Sequence, residues 1–358
     1  AQNRQRPFLE QQAIGSHHSG QLPAWKLVLE TLMSEGLLDA VFATSTVAAG
    51  VNFPARTVVF FNSDRFNGVD FLPLTPTEFH QMTGRAGRRG MDRIGFAMAV
   101  PGKFMNIKLA ARLISAPPSD IVSRIRINFS MVLNLLLSHT PPQVEKLLER
   151  SFATYQLLHT RRSKGYDPGH LWNDFKRHLA FLRENDYVLD DGTLTEDGQW
   201  ASRLRVDQPL LIAEAFRRGA FPEKDPALMA AIASCFAFER ETDDRIEKAF
   251  LTKTLRSAFT KIRDELTPFA RRMADAGFLA RPLYLRPAAA VYSWAGGQSW
   301  ERATAIAEME EGILASLILR TVDNLRHIKG LRSIFPGAGE SAAAAIELIL
   351  RDPVGGRN

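Results

Sequence analysis

The residues best suited to chemistry are concentrated in one stretch, Gln81-Met82-Thr83-Gly84-Arg85-Ala86-Gly87-Arg88-Arg89-Gly90. Glycines at three-residue intervals let the backbone turn tightly, and three arginines are interleaved with them. A guanidinium is a rigid fork that can grip phosphate oxygens with two donors, and phosphoryl transfer builds negative charge on such oxygens. The pattern therefore suits a phosphate, although a basic Gly-rich loop could also be simply solvated. Upstream, a strand-like run ends in the hydroxyls of Thr44 and Thr46 and is followed by a turn at Gly50. His17 and His18 stand side by side, but no Cys or carboxylate lies at ligand spacing near them, so no metal site is expected. The single cysteine, Cys235, excludes an internal disulfide and a cysteine-built zinc site, which suits a reducing cytoplasm.

The elements that must position these groups read as two kinds of chain. Residues 38–43, 57–61 and 95–100 are short apolar, β-branched-rich runs bounded by turn residues, as buried parallel strands should be. Helical stretches at 22–34 and 76–83 lie between them, and this βαβ rhythm predicts an open α/β sheet. After Ala116-Pro117-Pro118 the strands largely stop. Helices are expected at 122–138, 143–159 and 171–185, then an Asp191-Gly192 turn between two short strand-like runs, then a helix at 196–204. Helices followed by a small hairpin suggest a winged helix. From Pro209 onward the pattern is almost wholly helical, with breaks expected at Phe221-Pro222, Pro268, Arg281-Pro282, Gly296-Gly297 and Phe335-Pro336-Gly337, and a frayed tail from Arg351.

With 358 residues, 45% hydrophobic and 23% charged, the composition is that of a multidomain globular protein. No apolar run reaches the roughly 18 residues a membrane helix needs. The first residues, AQNRQRPFLEQQ, are too polar for a signal peptide, and a cytoplasmic protein without a membrane partner is expected. A net charge of +6 permits nucleic acid as a partner without requiring it. The chain opens on Ala1 rather than Met, and a longer parent is expected.

Gln-x-x-Gly-Arg-x-Gly-Arg resembles motif VI of superfamily-two helicases, and the trailing Arg89-Gly90-Met91-Asp92 is similar to the superkiller-type (DExH) branch. The resemblance implies that Arg85 and Arg88 are arginine fingers reaching ATP on a partner domain, with Gln81 near the γ-phosphate and the attacking water. Phe42-Ala43-Thr44-Ser45-Thr46-Val47-Ala48-Ala49-Gly50-Val51-Asn52-Phe53-Pro54 is similar to motif V. By that likeness Thr44 and Thr46 hold phosphates of a nucleic-acid strand, while Gly50 and Asn52 lie toward the nucleotide. Helix capping would explain the threonines equally well, and Asn52 could be only a turn residue. His17-His18-Ser19-Gly20-Gln21-Leu22-Pro23 resembles a further family segment, in which Ser19 and Gly20 precede a helix whose free N–H groups suit a phosphate.

Residues 62–75 are longer than a simple connection, and in superkiller-type helicases this region forms a hairpin that wedges a duplex open. Phe66 and Phe71 are candidates for stacking on the last base pair; anchoring the loop to the core is the competing reading. Near the end, Trp294-Ala295-Gly296-Gly297-Gln298-Ser299-Trp300 and Glu311-Gly312-Ile313-Leu314 resemble the family's terminal helical domain, whose long helix acts as a ratchet on the exiting strand. Residues 313–328 fit that helix, with Arg320, Asn324 and His327 on one face, which a solvated polar face also explains.

The resemblance thus implies a RecA-like parallel-sheet domain lacking its first strand (1–118), a winged helix (119–206) and an all-α bundle (207–358). It implies ATP with Mg2+, single-stranded RNA (DNA being possible) and an N-terminal RecA-like domain of the same protein as partners, in a monomer. Two departures qualify it. Neither a Gly-x-x-x-x-Gly-Lys-Ser/Thr loop nor an Asp-Glu-x-His tetrad is in this sequence, so the chain alone is expected not to hydrolyse ATP. The inserted arch of some relatives has only a short loop, roughly 161–170, in its place. A DNA helicase of the related repair branch and a non-catalytic winged-helix scaffold are the rival readings.

Overall fold

A computed structural model of the chain describes residues 3, 5–44, 55–66, 70–88, 90–159, 169–240 and 244–355. The chain divides into two compact units, residues 1–121 and 122–358.

Unit 1 opens with α1 (Arg6–Gln12) and the strand β1 (Ile14–His17). The helix α2 (Pro23–Ser34) then carries the chain over to β2 (Ala40–Ala43), which pairs parallel with β1, Ile14 opposite Ala40. Strand β3 (Thr57–Phe60) is followed by the antiparallel pair β4 (Asp64–Phe66) and β5 (Phe71–Pro73). Helix α3 (Pro76–Thr83) leads to β6 (Phe96–Ala99), parallel to β3, and α4 (Ile107–Ser115) closes the unit. The parallel pairing is what a βαβ rhythm requires, yet the described strands form three two-stranded sheets rather than the one open sheet expected. Nor are they buried throughout: every residue of β6 is exposed, and Phe42 on β2 is 59% exposed. The small core is built on Phe60 of β3, which stacks on Phe79 with Leu74 and Leu113 around them.

Unit 2 is helical. Its first helix, α5 (Phe129–Leu136), starts later than the periodicity predicts, because the Asn128 side chain accepts from the Met131 N–H at 2.8 Å and caps it there. The single helix expected at 143–159 is two, α6 (Pro141–Glu149) and α7 (Phe152–His159), and α8 (His170–Glu184) follows. The Asp191-Gly192 turn forms with Gly192 at φ +91°, but its flanks make one bridge, Val188 to Leu194, rather than a ladder. Then come α9 (Glu196–Ala201), α10 (Pro209–Arg217) and α11 (Pro226–Ala237). In α11 every residue from 228 to 237 is buried, as an apolar helix needs, and Asp225 caps its first turn. Around it run α12 (Lys253–Asp275), α13 (Leu285–Ala295), α14 (Trp300–Ala307), α15 (Glu311–Lys329) and α16 (Pro336–Ile349).

Two further expectations are corrected. Pro268 does not break its helix; it sits inside the 23-residue α12 on the solvent face, where water can satisfy the carbonyl that its ring displaces. The described part of the tail, 351–355, is not frayed: Arg351 lies over the Trp294 ring and donates to the carbonyls of Trp294 and Gln298, both at 2.8 Å, while Val354 is buried. Among the described residues no helix is long and apolar enough to cross a membrane.

Candidate functional site

In unit 1 the arginine loop is fixed from both ends. Thr75 and Glu78 form a capping box, with the Glu78 N–H donating to Thr75 Oγ1 at 3.3 Å and the Thr75 N–H to Glu78 Oε2 at 2.9 Å. Pro76 fills the first turn, so α3 starts at a defined residue and presents Gln81 exposed near its end. The loop after it is clamped to Ala55, whose N–H donates to the Arg85 carbonyl at 3.0 Å and whose carbonyl accepts from Gly87 at 2.7 Å. Gly87 has φ +87°, and a Cβ on Gly95 would lie 2.5 Å from the Ala86 carbonyl carbon. Glycine at both positions is thus a steric demand of the loop, not a flexible filler.

Arg85 and Thr44 line one cavity of about 170 Å³, with Met33, Met82, Ala55 and the inner residues of β2 and β3. The structure therefore brings together two residues that the sequence placed in separate motifs. Arg88 is held by Asp92: Nε reaches Oδ2 at 2.9 Å and Nη2 reaches Oδ1 at 3.1 Å. These bonds hold the Asp92 carboxyl well below the usual range, at about 2. Thr46, Gly50 and Asn52 lie outside the described residues.

Ser19 and Gly20 lie just before α2 in the chain. Helix α2 begins at Pro23 after an N-cap at Leu22 that makes no side-chain bond, and the Gly20 N–H is taken by His18 Nδ1 at 3.2 Å. Ser19 is exposed. His17 Nε2 lies 3.2 Å from Glu30, a carboxylate thirteen residues on that sequence spacing passed over. The β4–β5 pair puts Phe66 and Phe71 opposite each other, 54% and 66% exposed, with ring centroids 5.1 Å apart. They do not anchor the loop to the core; they stand out from it as a pair. The tip between them, 67–69, is outside the described residues, as is the loop at 160–168.

Unit 2 holds a separate polar cavity of about 690 Å³. Arg320 and Asn324 of α15 line it, together with Asn128, Ser130, Asn134, Arg205, Asp207 and Asp323. Arg320 is not a freely solvated cation: it pairs with Asp207 and, at 2.7 Å, with Glu239. Although burial works against it, the pairing with Arg320 and Arg281 holds Glu239 below the ordinary carboxylate range. Asn324 is buried, with Nδ2 3.5 Å from the Ala233 carbonyl. His327 instead bonds the Arg203 carbonyl at 3.0 Å and does not line the cavity. Asn128, the N-cap of α5, and Asn134 within it line the same cavity, although the sequence pointed there only to a helix.

Comparison with known proteins now separates what this arrangement could belong to. Residues 191–356 match the DSHCT (NUC185) domain family. The chain is 43% identical over 143 residues to "Probable helicase HelY" of Mycobacterium tuberculosis, covering 40% of this chain and 16% of that protein. It is 36% identical over 204 residues to "Superkiller complex protein 2" of Mus musculus (57% and 16%), and 42% over 160 residues to "Exosome RNA helicase MTR4" of Homo sapiens (44% and 15%). Each match thus spans about one sixth of the relative's length. The chain is related to the superfamily-two DExH-box helicases of superkiller type, and it matches their C-terminal region.

Proposed function

We propose that this chain is the C-terminal part of an ATP-dependent helicase that moves along single-stranded RNA and unwinds duplexes. The observation that carries the reading is the arginine loop clamped at Ala55, which sets Arg85 into a cavity beside Thr44 and holds Arg88 at the loop's outer end. A nucleotide phosphate on one side and a strand phosphate on the other is the demand that such an arrangement meets. In this reading Arg85 and Arg88 are arginine fingers, and Gln81 lies near the attacking water. Gly50 and Asn52 line the nucleotide side, and Thr46 joins Thr44 on the strand.

Residues 1–118 would be a second RecA-like domain, 119–206 a winged helix and 207–358 a ratchet-type bundle. ATP and Mg2+ would be held mainly by an N-terminal RecA-like domain of the same protein, since the phosphate loop and acidic tetrad are not in this sequence; this chain alone then hydrolyses nothing. Phe66 and Phe71, exposed and paired, fit a wedge against the last base pair. The α15 face supports an RNA path: Arg320 and Asn324 border a polar cavity wide enough for a base. The name of one relative, an exosome RNA helicase, favours RNA over the DNA alternative, since stacking and phosphate contacts barely distinguish the sugar.

The test is ATP turnover by the full-length parent with single-stranded RNA, single-stranded DNA or neither, beside Arg88→Ala. RNA-stimulated turnover that falls about 10³-fold in the variant is expected. Equal stimulation by DNA would favour the repair-type helicase, and turnover that survives Arg88→Ala would remove the finger assignment.

A further inference from the structure

We propose that Asp92 is the positioning residue for Arg88, fixing the orientation in which its guanidinium meets a nucleotide phosphate. The proposal rests on the reading of Arg88 given above. Arg88 stands in a loop in which Gly87 and Gly90 both have positive φ, and its side chain is 33% exposed. A long arginine in such a place would sample many rotamers, and a finger that is rarely aimed contributes little to a transition state. Asp92 removes that freedom. Its Oδ2 accepts from both the backbone N–H and Nε of Arg88, each at 2.9 Å, and Oδ1 accepts from Nη2 at 3.1 Å. The backbone between them is closed as well, the Asp92 N–H donating to the Arg88 carbonyl at 2.9 Å.

The consequence is directional. One edge of the guanidinium, Nε and Nη2, is occupied by a carboxylate whose side chain is only 8% exposed. The donors left for a phosphate are therefore Nη1 and the outer N–H of Nη2, at the far end of the fork from Asp92. Arg85 lines a cavity wall, and Arg88 is held by the Asp92 carboxylate.

The experiment compares ATP turnover of the full-length parent as wild type, Arg88→Ala, Asp92→Asn, Asp92→Glu and the double variant Arg88→Ala with Asp92→Asn. Asp92→Asn keeps the size and one acceptor but removes the charge. It is expected to lower kcat about tenfold with the KM for ATP within about twofold, because an orienting residue acts in the transition state more than in nucleotide binding. Asp92→Glu should recover part of that loss, and the double variant should be no slower than Arg88→Ala alone, since the two side chains act as one unit. A merely structural aspartate would instead lower the melting temperature and add its loss on top of Arg88→Ala. Wild-type kcat in Asp92→Asn, or full additivity in the double variant, overturns the proposal while leaving the arginine finger intact. An Arg88→Ala enzyme with normal turnover overturns both. If Asp92→Asn fails to fold, Asp92→Glu decides alone: a kcat below wild type with the KM for ATP within about twofold is expected, and wild-type kcat overturns the proposal.

Discussion

The two units of this chain keep their stability and their chemistry in different places. Among the described residues of unit 1 only Leu22, Leu29, Phe60, Leu74, Phe79, Ala110 and Leu113 are buried apolar groups. Unit 2 buries whole helix faces, and in α11 ten consecutive residues are inaccessible. Yet the loop with the interleaved arginines, the glycines that steric contact demands and the exposed aromatic pair all lie in unit 1. A functional loop needs backbone clamps, such as Ala55 to Arg85 and Gly87, more than it needs a deep core. In the helical unit buried polar groups tie the core together, as where Glu214 accepts from Arg217, Arg218 and the Tyr187 hydroxyl.

The largest effect should come from emptying the denser core. Phe175 of α8 is fully buried against Trp172, with ring centroids 5.2 Å apart. Phe175→Ala is expected to cost about 3–5 kcal/mol, the usual range for a buried aromatic truncated to a cavity. Urea unfolding followed by tryptophan fluorescence measures it, and a loss below about 1 kcal/mol would mean that unit 2 is less tightly packed than its burial implies.

The comparison itself is measured by amide exchange. Among the described residues β3 and β6 form a two-stranded parallel ladder, and every residue of β6 is exposed, whereas α11 is buried within a bundle. Exchange in β6 is expected to be at least about 10²-fold faster than in α11, since protection follows local burial and contact density. Equal protection would show that unit 1 is as stable as unit 2, and the contrast drawn from burial would fail.

Legibility in the sequence follows the same division. Local signals with a steric or capping cause could be read closely: α3 runs from Pro76 to Thr83 as predicted, and Asp191-Gly192 makes its tight turn. Helix ends set by a side chain could not be read from periodicity, so Asn128 shortened α5 and the Arg150-Ser151 junction divided α6 from α7. Pro268 shows that a proline on a solvent face ends nothing. Of the candidate site, the arginine loop was legible because glycine spacing is a local property. The ion pairs of Arg320 in unit 2 were not, because Asp207 and Glu239 reach it from positions more than eighty residues away. The His18 ring that accepts from the Gly20 N–H is likewise a contact that spacing alone did not announce.

The smallest effect should be at Phe42, and it is informative because the residue is large and apolar. In a buried parallel strand, which the sequence suggests, Phe42→Ser would remove a core aromatic and cost several kcal/mol. Here Phe42 is 59% exposed on β2, so truncation removes little buried area and leaves no cavity. The expected change in stability of this chain is therefore within about 0.5 kcal/mol, the ordinary range for a surface position. A gain in solubility should accompany it, because Phe42, Val59, Phe61 and Met98 are all exposed apolar groups of the same unit. The same substitution in the full-length parent separates two uses of that surface. If the strand face meets another part of the parent, Phe42→Ser should cost at least about 2 kcal/mol there while remaining silent in this chain, a difference that burial in the parent alone would produce. Equal silence in both would leave the exposed face without a packing role, and the thin core of unit 1 would then be its full complement.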